Sequence, residues 1–463
     1  MTSQPETAPG EEAGSLRAAQ AIIDALIEAG VTRFAYSPGS RNAPFAYVLA
    51  EAEARGEVFV QTFAEERGAA FWALGAAKAL QGGRGVAVAT TSGTAAAELH
   101  PALEEALHQG LPVIAVTADR PFELVAVGAS QTTHQGGLLS SSTVTQVDIP
   151  AGVSLAGIRN RVARAVRRGL GFGGTPGPIH LNCALAEPLS PRESQRALHE
   201  ALQQRGAPSP LPRIDLPAVR GPQWEEVIVA GLRTVVVAGD VEPRLLTQAR
   251  RLGAEAARRH LPVLAEPTSG LTGVDTWIPH GPWVVDLVGG DVEQVLVLGK
   301  PTLSRPIAGL LSRPDVRKIV VCDHEEWPDP TGNAAAVVAD IQTGEDAAQE
   351  AGESWRWLQR WQAAAGDVTA RLQRHCEGGG LDHVCVARQI WDHREVDLWL
   401  GASNTIRAFD IAASQPGRAA VFSNRGLAGI DGTLASAFGL AKVRGNPLRV
   451  VLGDLTFCYD LPS

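Results

Sequence analysis

Short apolar runs that do not alternate recur along the chain, each followed by a stretch with helical spacing. Residues 33–36, 57–63, 85–90 (GVAVAT) and 111–117 (LPVIAVT) are such runs, with helix-like patterning at 66–81 and 94–108 between them. A strand with one wet face alternates apolar and polar residues, whereas one that is apolar throughout is covered on both faces. A parallel sheet wound with helices on both sides provides that cover. Residues 15–29 (SLRAAQAIIDALIEA) read as a leading helix stopped by Gly30, and Pro178–Asn182 as a closing strand.

The pattern returns twice. A second unit starts at Arg233–Gly239 and continues through helix 243–259 and strands 261–265, 294–298 and 318–322, followed by a polar connection over 329–353. A third runs through helices 355–374 and 381–393, strand 397–401, helix 405–413, strand 419–423, helix 433–442 and strand 448–452. The fold class is therefore α/β, with three tandem doubly wound parallel-sheet domains. The domains are placed at 1–190, 226–350 and 351–463, with a Pro- and Arg-rich linker over 191–225. The third reads as incomplete, because the last strand runs into Gly453-Asp454 and only nine residues follow that aspartate.

Composition narrows the function classes. With 41 Lys+Arg against 50 Asp+Glu, the net charge of −9 gives no basic field for nucleic acid or an anionic membrane. No run is long and apolar enough for a transmembrane helix, and residues 1–18 lack the apolar core of a secretory signal. Five scattered cysteines without a C-x-x-C pair read as reduced thiols of a cytoplasmic protein.

Ligands of open α/β sheets sit beyond the carboxyl ends of the strands. Four loops at those positions are polar: Tyr36-Ser-Pro-Gly-Ser-Arg-Asn42, Phe63-Ala-Glu-Glu-Arg-Gly68, Thr90-Thr-Ser-Gly-Thr94 and Thr117-Ala-Asp-Arg-Pro121. Open backbone N–H groups and a forked guanidinium suit an anion, and a carboxyl group in a cleft suits proton exchange. Each loop alone is equally well an ordinary strand-to-helix turn. The third unit adds Gly401–Arg407, Ser423–Gly432 and Gly453-Asp454, where a carboxylate at a strand end could hold Mg²⁺ or could simply be solvated.

Taken in order, SPGSRNAP, FAEERGAAFWALGAAKA, TTSGTAAAELHPALEEA, TADRPFEL, GPIHLNCALAEPL, SNRGLAGIDG and GDLTF resemble the MenD family of thiamine-diphosphate enzymes. The resemblance is strong over about 15–190 and 395–457 and weaker between them. It implies a pyrimidine-binding, a central and a diphosphate-binding domain. It also implies a homodimer or dimer of dimers in which two subunits build each site. The implied cofactors are thiamine diphosphate and Mg²⁺ (or Mn²⁺). The implied reaction is decarboxylation of 2-oxoglutarate and transfer of its succinyl unit to isochorismate, a step of menaquinone biosynthesis.

By the same resemblance Glu66 is the cofactor-activating carboxyl group, Ile430 the apolar wedge under the cofactor, and Asp454 a metal ligand. Ser40, Arg41, Arg120, Gln131, Arg305, Ser403, Arg407 and Arg425 line the substrate pocket. The family's metal motif continues into an Asn-rich stretch that would fall beyond Ser463. That departure implies weakened magnesium and diphosphate binding, and so an impaired chain. Two alternatives stand beside the synthase: a non-catalytic relic or partner chain of the same family, and a thiamine-diphosphate lyase acting on another 2-keto acid.

Overall fold

The computed structural model describes residues 14–81, 84–190, 220–344, 351–379, 382–417 and 419–461. Most of the expected linker, 191–219, lies outside the described residues. The chain forms two compact units: Met1–Asp215 with Asp431–Gly445 and Tyr459–Ser463, and Leu216–Ile430 with Asn446–Cys458.

The first unit carries β1 (Arg33–Tyr36), β2 (Phe59–Thr62), β3 (Val86–Thr90), β4 (Val113–Asp119), β5 (Thr145–Ile149) and β6 (Ile179–Ala184). They form one parallel sheet in the order β2-β1-β3-β4-β6-β5. Its helices are α1 (Gly14–Glu28), α2 (Ala43–Ala54), α3 (Glu66–Ala79), α4 (Thr94–Ala97), α5 (His100–Leu107) and α6 (Leu155–Gly169). Every residue of β3 and β4 is buried, as runs apolar throughout require. Successive side chains go to opposite faces. Phe34, Ala87 and Ile114 join the core beneath α1, α2 and α6, while Ala35, Val88 and Val113 join the core beneath α3 and α5.

The strand order reverses between β1 and β3, so the loops after these two strands face one crevice. Gly39 makes their approach possible, since a Cβ there would lie 2.5 Å from the Thr91 Cβ. The helix expected over 94–108 is two pieces, α4 and α5, with Leu99 at the joint. Half-buried β5 and amphipathic α6 follow a stretch whose pattern announces neither.

The second unit holds two parallel sheets. The first contains β7 (Thr234–Ala238), β8 (Val263–Ala265), β9 (Gln294–Leu298), β10 (Arg317–Val321) and β11 (Ala336–Val338), in the order β11-β10-β9-β7-β8. Helices α7 (Trp224–Val227), α8 (Leu246–Arg258), α9 (Gly281–Val288) and α10 (Arg305–Ser312) accompany it. Helix α11 (Ala351–Glu377) lays Trp357, Leu358, Trp361 and Val368 into the core under β7, β9 and α9, and the Trp357 indole donates to Thr234 O at 3.0 Å. The third sheet pairs β12 (Asp397–Leu400) with β13 (Val421–Phe422) and β14 (Leu448–Val451). Helices α12 (His383–Asp392) and α13 (Asn404–Ala412) pack together beside it.

Helix α14 (Thr433–Arg444) belongs to the first unit and lies against α3. Two glycines bring the backbones together: a Cβ on Gly75 would sit 1.8 Å from Ser436 O, and one on Gly439 2.1 Å from Trp72 O. The chain then forms β14 and the short helix α15 (Asp454–Tyr459). The reading of the cysteines as thiols needs one correction, because Cys376 and Cys385 form a disulfide across a Cα separation of 5.4 Å. Cys183, Cys322 and Cys458 are free. No helix among the described residues is long and apolar enough to cross a membrane.

Candidate active site

Glu65 and Glu66 look equivalent in the sequence, and the fold separates them. Glu65 has extended backbone (φ −137°, ψ 148°) and caps α3, its carboxylate accepting the Gly68 N–H at 2.6 Å. Glu66 is the first residue of the helix, with a half-buried carboxyl group. Burial raises its pKa, its own backbone N–H opposes that, and Glu65 and Glu98 push it further up. A carboxyl group so placed keeps its proton more readily than an ordinary glutamate.

The crevice between β1 and β3 gathers cations. Arg41 is largely buried and donates to Leu185 O at 2.9 Å, with Glu187 at 3.4 Å, while its Nε has no partner. Arg120 follows β4 and donates to Gln131 O at 2.8 Å and to the Ser92 hydroxyl. Burial and the neighbouring Arg41 both lower the Arg120 pKa, so the two guanidinium groups lie close enough to repel. An anion between them relieves that repulsion, and a carboxylate matches the guanidinium fork. Gln131 is held at φ +58° with its side chain donating to Ser92 O at 2.9 Å, whereas Ser40 is exposed.

Behind these residues lies a polar network that the motifs did not reveal. Gln135 accepts from Gly93 N at 3.1 Å and donates to Ala118 O and to Asn182 Oδ1. Asn182 in turn donates to Asp119 and Asp148 at 3.1 and 3.0 Å. The network ties the ends of β4, β5 and β6 together and steadies the turn that presents Arg120.

In the second unit, a cleft of about 690 Å³ is lined by Ser403, Asn404, Thr405, Ile430, Gly453 and Asp454. Ser403 stands at φ +65° before α13 and makes no side-chain cap; the Ile406 N–H donates to Gly401 O at 3.2 Å, which leaves the N–H groups of Asn404 and Thr405 to face an anion. A Cβ on Gly401 would meet Leu452 at 2.9 Å, so glycine lets the ends of β12 and β14 converge there. A helix N-terminus, hydroxyl groups and one carboxylate fit a diphosphate carried with a divalent cation. Asp454 Oδ1 accepts the Leu455 N–H at 2.8 Å.

A neighbouring cleft of about 440 Å³ is lined by Thr302, Ser403, Arg407 and Arg425. Another, of about 580 Å³, is lined by Thr302, Arg305, Arg407 and Asp410. The fold thus gathers Ser403, Arg407, Arg425 and Arg305 around Thr302, and Ser403 also borders the cleft holding Ile430 and Asp454. Glu66, Ser40, Arg41, Arg120 and Gln131 belong to the first unit. Within it, no hydrogen bond or ion pair among the described residues joins Glu66 to Arg41 or Arg120. Glu266, just after β8, and Asp410, on α13, were also missed, although the strand-end rule points to Glu266.

Residues 16–138 match the family described as thiamine pyrophosphate enzyme, N-terminal TPP binding domain. Among curated relatives, the 2-succinyl-5-enolpyruvyl-6-hydroxy-3-cyclohexene-1-carboxylate synthase of Kineococcus radiotolerans is 40% identical over 96% of this chain and 78% of its own length. The enzyme of the same name from Paenarthrobacter aurescens is 37% identical over 99% and 78%, and that from a Nocardioides species 37% over 98% and 79%. On these matches and the architecture above, the chain belongs to the 2-succinyl-5-enolpyruvyl-6-hydroxy-3-cyclohexene-1-carboxylate synthase family of thiamine-diphosphate enzymes.

Proposed function

We propose that this chain decarboxylates 2-oxoglutarate and joins the remaining succinyl unit to the ring of isochorismate, releasing CO₂ and forming 2-succinyl-5-enolpyruvyl-6-hydroxy-3-cyclohexene-1-carboxylate for menaquinone biosynthesis. The observation that carries this reading is the gathering of guanidinium groups at strand ends. Arg41 and Arg120 lie together in one unit, and Arg305, Arg407 and Arg425 in the other. Both substrates are dicarboxylates, and a site for a monocarboxylate such as pyruvate has little use for so many cations. The names of the relatives favour the same reading over a non-catalytic chain.

When bound, thiamine diphosphate supplies a nucleophilic carbon and an electron sink for loss of CO₂. Glu66, with its raised pKa, holds and exchanges a proton at a ring nitrogen of the cofactor. Ile430 would form an apolar support beneath the cofactor. Ser403 and the start of α13 would hold the diphosphate, and Asp454 would ligate Mg²⁺ or Mn²⁺. Arg41 and Arg120, with Ser40 and Gln131, orient substrate carboxylates in one unit, while Arg305, Arg407, Arg425 and Ser403 do so in the other. The working form is a cytoplasmic homodimer or dimer of dimers without a nucleic-acid partner. Its pyrimidine-binding, central and diphosphate-binding domains are 1–190, 226–350 and 351–463.

The test is isochorismate consumption by the purified chain supplied with 2-oxoglutarate, thiamine diphosphate and Mg²⁺. Consumption that requires all three additions supports the reading. No consumption, or equal turnover with pyruvate in place of 2-oxoglutarate, overturns it.

A further inference from the structure

Glu266 is a carboxylate where the fold has little water to offer one. It follows β8 and is 5% exposed, and its Oε1 accepts two backbone N–H groups, from Thr302 at 2.6 Å and Leu303 at 2.8 Å. Its Oε2 is buried with no partner. Arg425 is 7% exposed and donates from Nη2 to the Thr302 hydroxyl at 2.6 Å, and its Nε is unpartnered. Asp410, on α13 one turn beyond Arg407, is equally buried. Thr302 is therefore held by Glu266 through its backbone and holds Arg425 through its side chain. It lines both clefts that contain Arg407.

We propose that Glu266, acting with Asp410, is a positioning residue that holds the Thr302–Leu303 turn and sets the charge available at Arg425 for a substrate carboxylate. This rests on the synthase reading above and adds to it a residue outside the strand-end arginines. Two carboxyl groups beside one guanidinium leave that guanidinium less free to attract a third carboxylate when both are ionised. When one of them keeps its proton, the trio is neutral and Arg425 can take the substrate.

The surroundings favour that shared proton. Burial and then Asp410 raise the Glu266 pKa, against the N–H groups of Leu303 and Thr302 and the charge of Arg425. Burial raises Asp410 as well, with Arg425 opposing. Among the described residues, the charged groups lining the clefts around the pair are Arg425 after β13, Arg407 on α13, Arg305 at the start of α10, and Asp286 on α9, which shares the cleft of Arg305 and Asp410. Such a pair titrates as a unit, losing its last proton on the alkaline side of neutrality.

The test is the pH dependence of KM for 2-oxoglutarate and for isochorismate. It is run from about pH 6.5 to about pH 9 on the wild type and on Glu266→Gln, Glu266→Ala and Asp410→Asn. In the wild type, KM for the substrate held by Arg425 rises about tenfold toward alkaline pH while kcat moves less than about threefold. Glu266→Gln keeps an oxygen for the two N–H donors, so its KM at pH 7 stays within about threefold but no longer rises with pH. Asp410→Asn loses the rise in the same way. Glu266→Ala leaves both N–H groups unpaired and raises KM at every pH by about tenfold or more.

A wild-type KM that is flat over this range, or a Glu266→Gln enzyme that keeps the alkaline rise, overturns the proposal. Calorimetric titration of the same proteins with 2-oxoglutarate separates the two levels of inference. If the wild type binds the dicarboxylate with this pH dependence yet does not consume isochorismate, the positioning role stands and the synthase reading fails.

Discussion

The two adjacent glutamates at the start of α3 divide their labour. Glu65 spends its carboxylate on the Gly68 N–H, while Glu66 carries a raised pKa. Glu66→Gln should therefore leave folding intact, with an unchanged circular-dichroism spectrum and melting temperature, and slow turnover by about 10²–10⁴-fold, the usual worth of a positioned acid–base group. Unchanged turnover would remove Glu66 from the chemistry. Arg120→Ala should act differently. It removes a cation that faces Arg41, so steady-state kinetics should show a higher substrate KM, and titration with thiamine diphosphate an unaltered affinity. Lost cofactor affinity would contradict its place in the substrate pocket.

Between elements, the contact of α3 with α14 depends on the absence of side chains at two positions. A Cβ on Gly75 or Gly439 would meet partner backbone at 1.8 and 2.1 Å, and backbone cannot rotate out of the way as a side chain can. Gly75→Val should lower the first unit's thermal transition by several degrees, on the order of 2–3 kcal/mol or more. An unchanged melt would mean that the helices do not pack this closely. A different tie joins α11 to α12 through Cys376 and Cys385, nine positions apart. Closing so short a loop contributes about 2–3 kcal/mol in the chain-entropy account. Differential scanning calorimetry with added dithiothreitol should lower the second unit's transition in the wild type and leave a Cys376→Ser/Cys385→Ser variant unmoved.

At the scale of the whole molecule, pH acts through groups the fold has taken out of water. His180 is the second residue of β6, fully buried, with Nε2 2.7 Å from the Thr117 hydroxyl and Nδ1 without a partner. Burial lowers its pKa to about 4, Asp148 opposing. An unfolded histidine binds a proton near pH 6.5, so below that pH the unfolded chain gains protons the native one refuses. The stability tied to neutral His180 is whole above about pH 6.5 and falls progressively down to about pH 4, by about 3 kcal/mol. Urea unfolding followed between these pH values should show that loss, and His180→Gln should flatten it. An equal slope in both proteins would place the acid sensitivity elsewhere.

Much of this protein is written locally. A run such as GVAVAT admits only a strand covered on both faces, and β3 and β4 are buried at every residue for that reason. The strand-end rule likewise put Arg41, Arg120 and Ser403 on the loops after β1, β4 and β12, and Asp454 at the start of α15 after β14, because the end of an apolar run is visible in its own few residues. What periodicity could not reach is the meeting of distant positions. Whether Glu65 or Glu66 becomes the cap depends on the path of the backbone into α3, and neighbouring identical residues carry no mark of it. The pairing of Cys376 with Cys385 depends on how two helices end and begin. Glu266, Asp410 and Arg425, separated by up to 159 positions, become one buried cluster, with the exposed Thr302 at its edge, only when β8, α13 and the loops after β9 and β13 converge. Local spacing fixes which face of an element is apolar; which charges lose their water together is decided by packing across the chain.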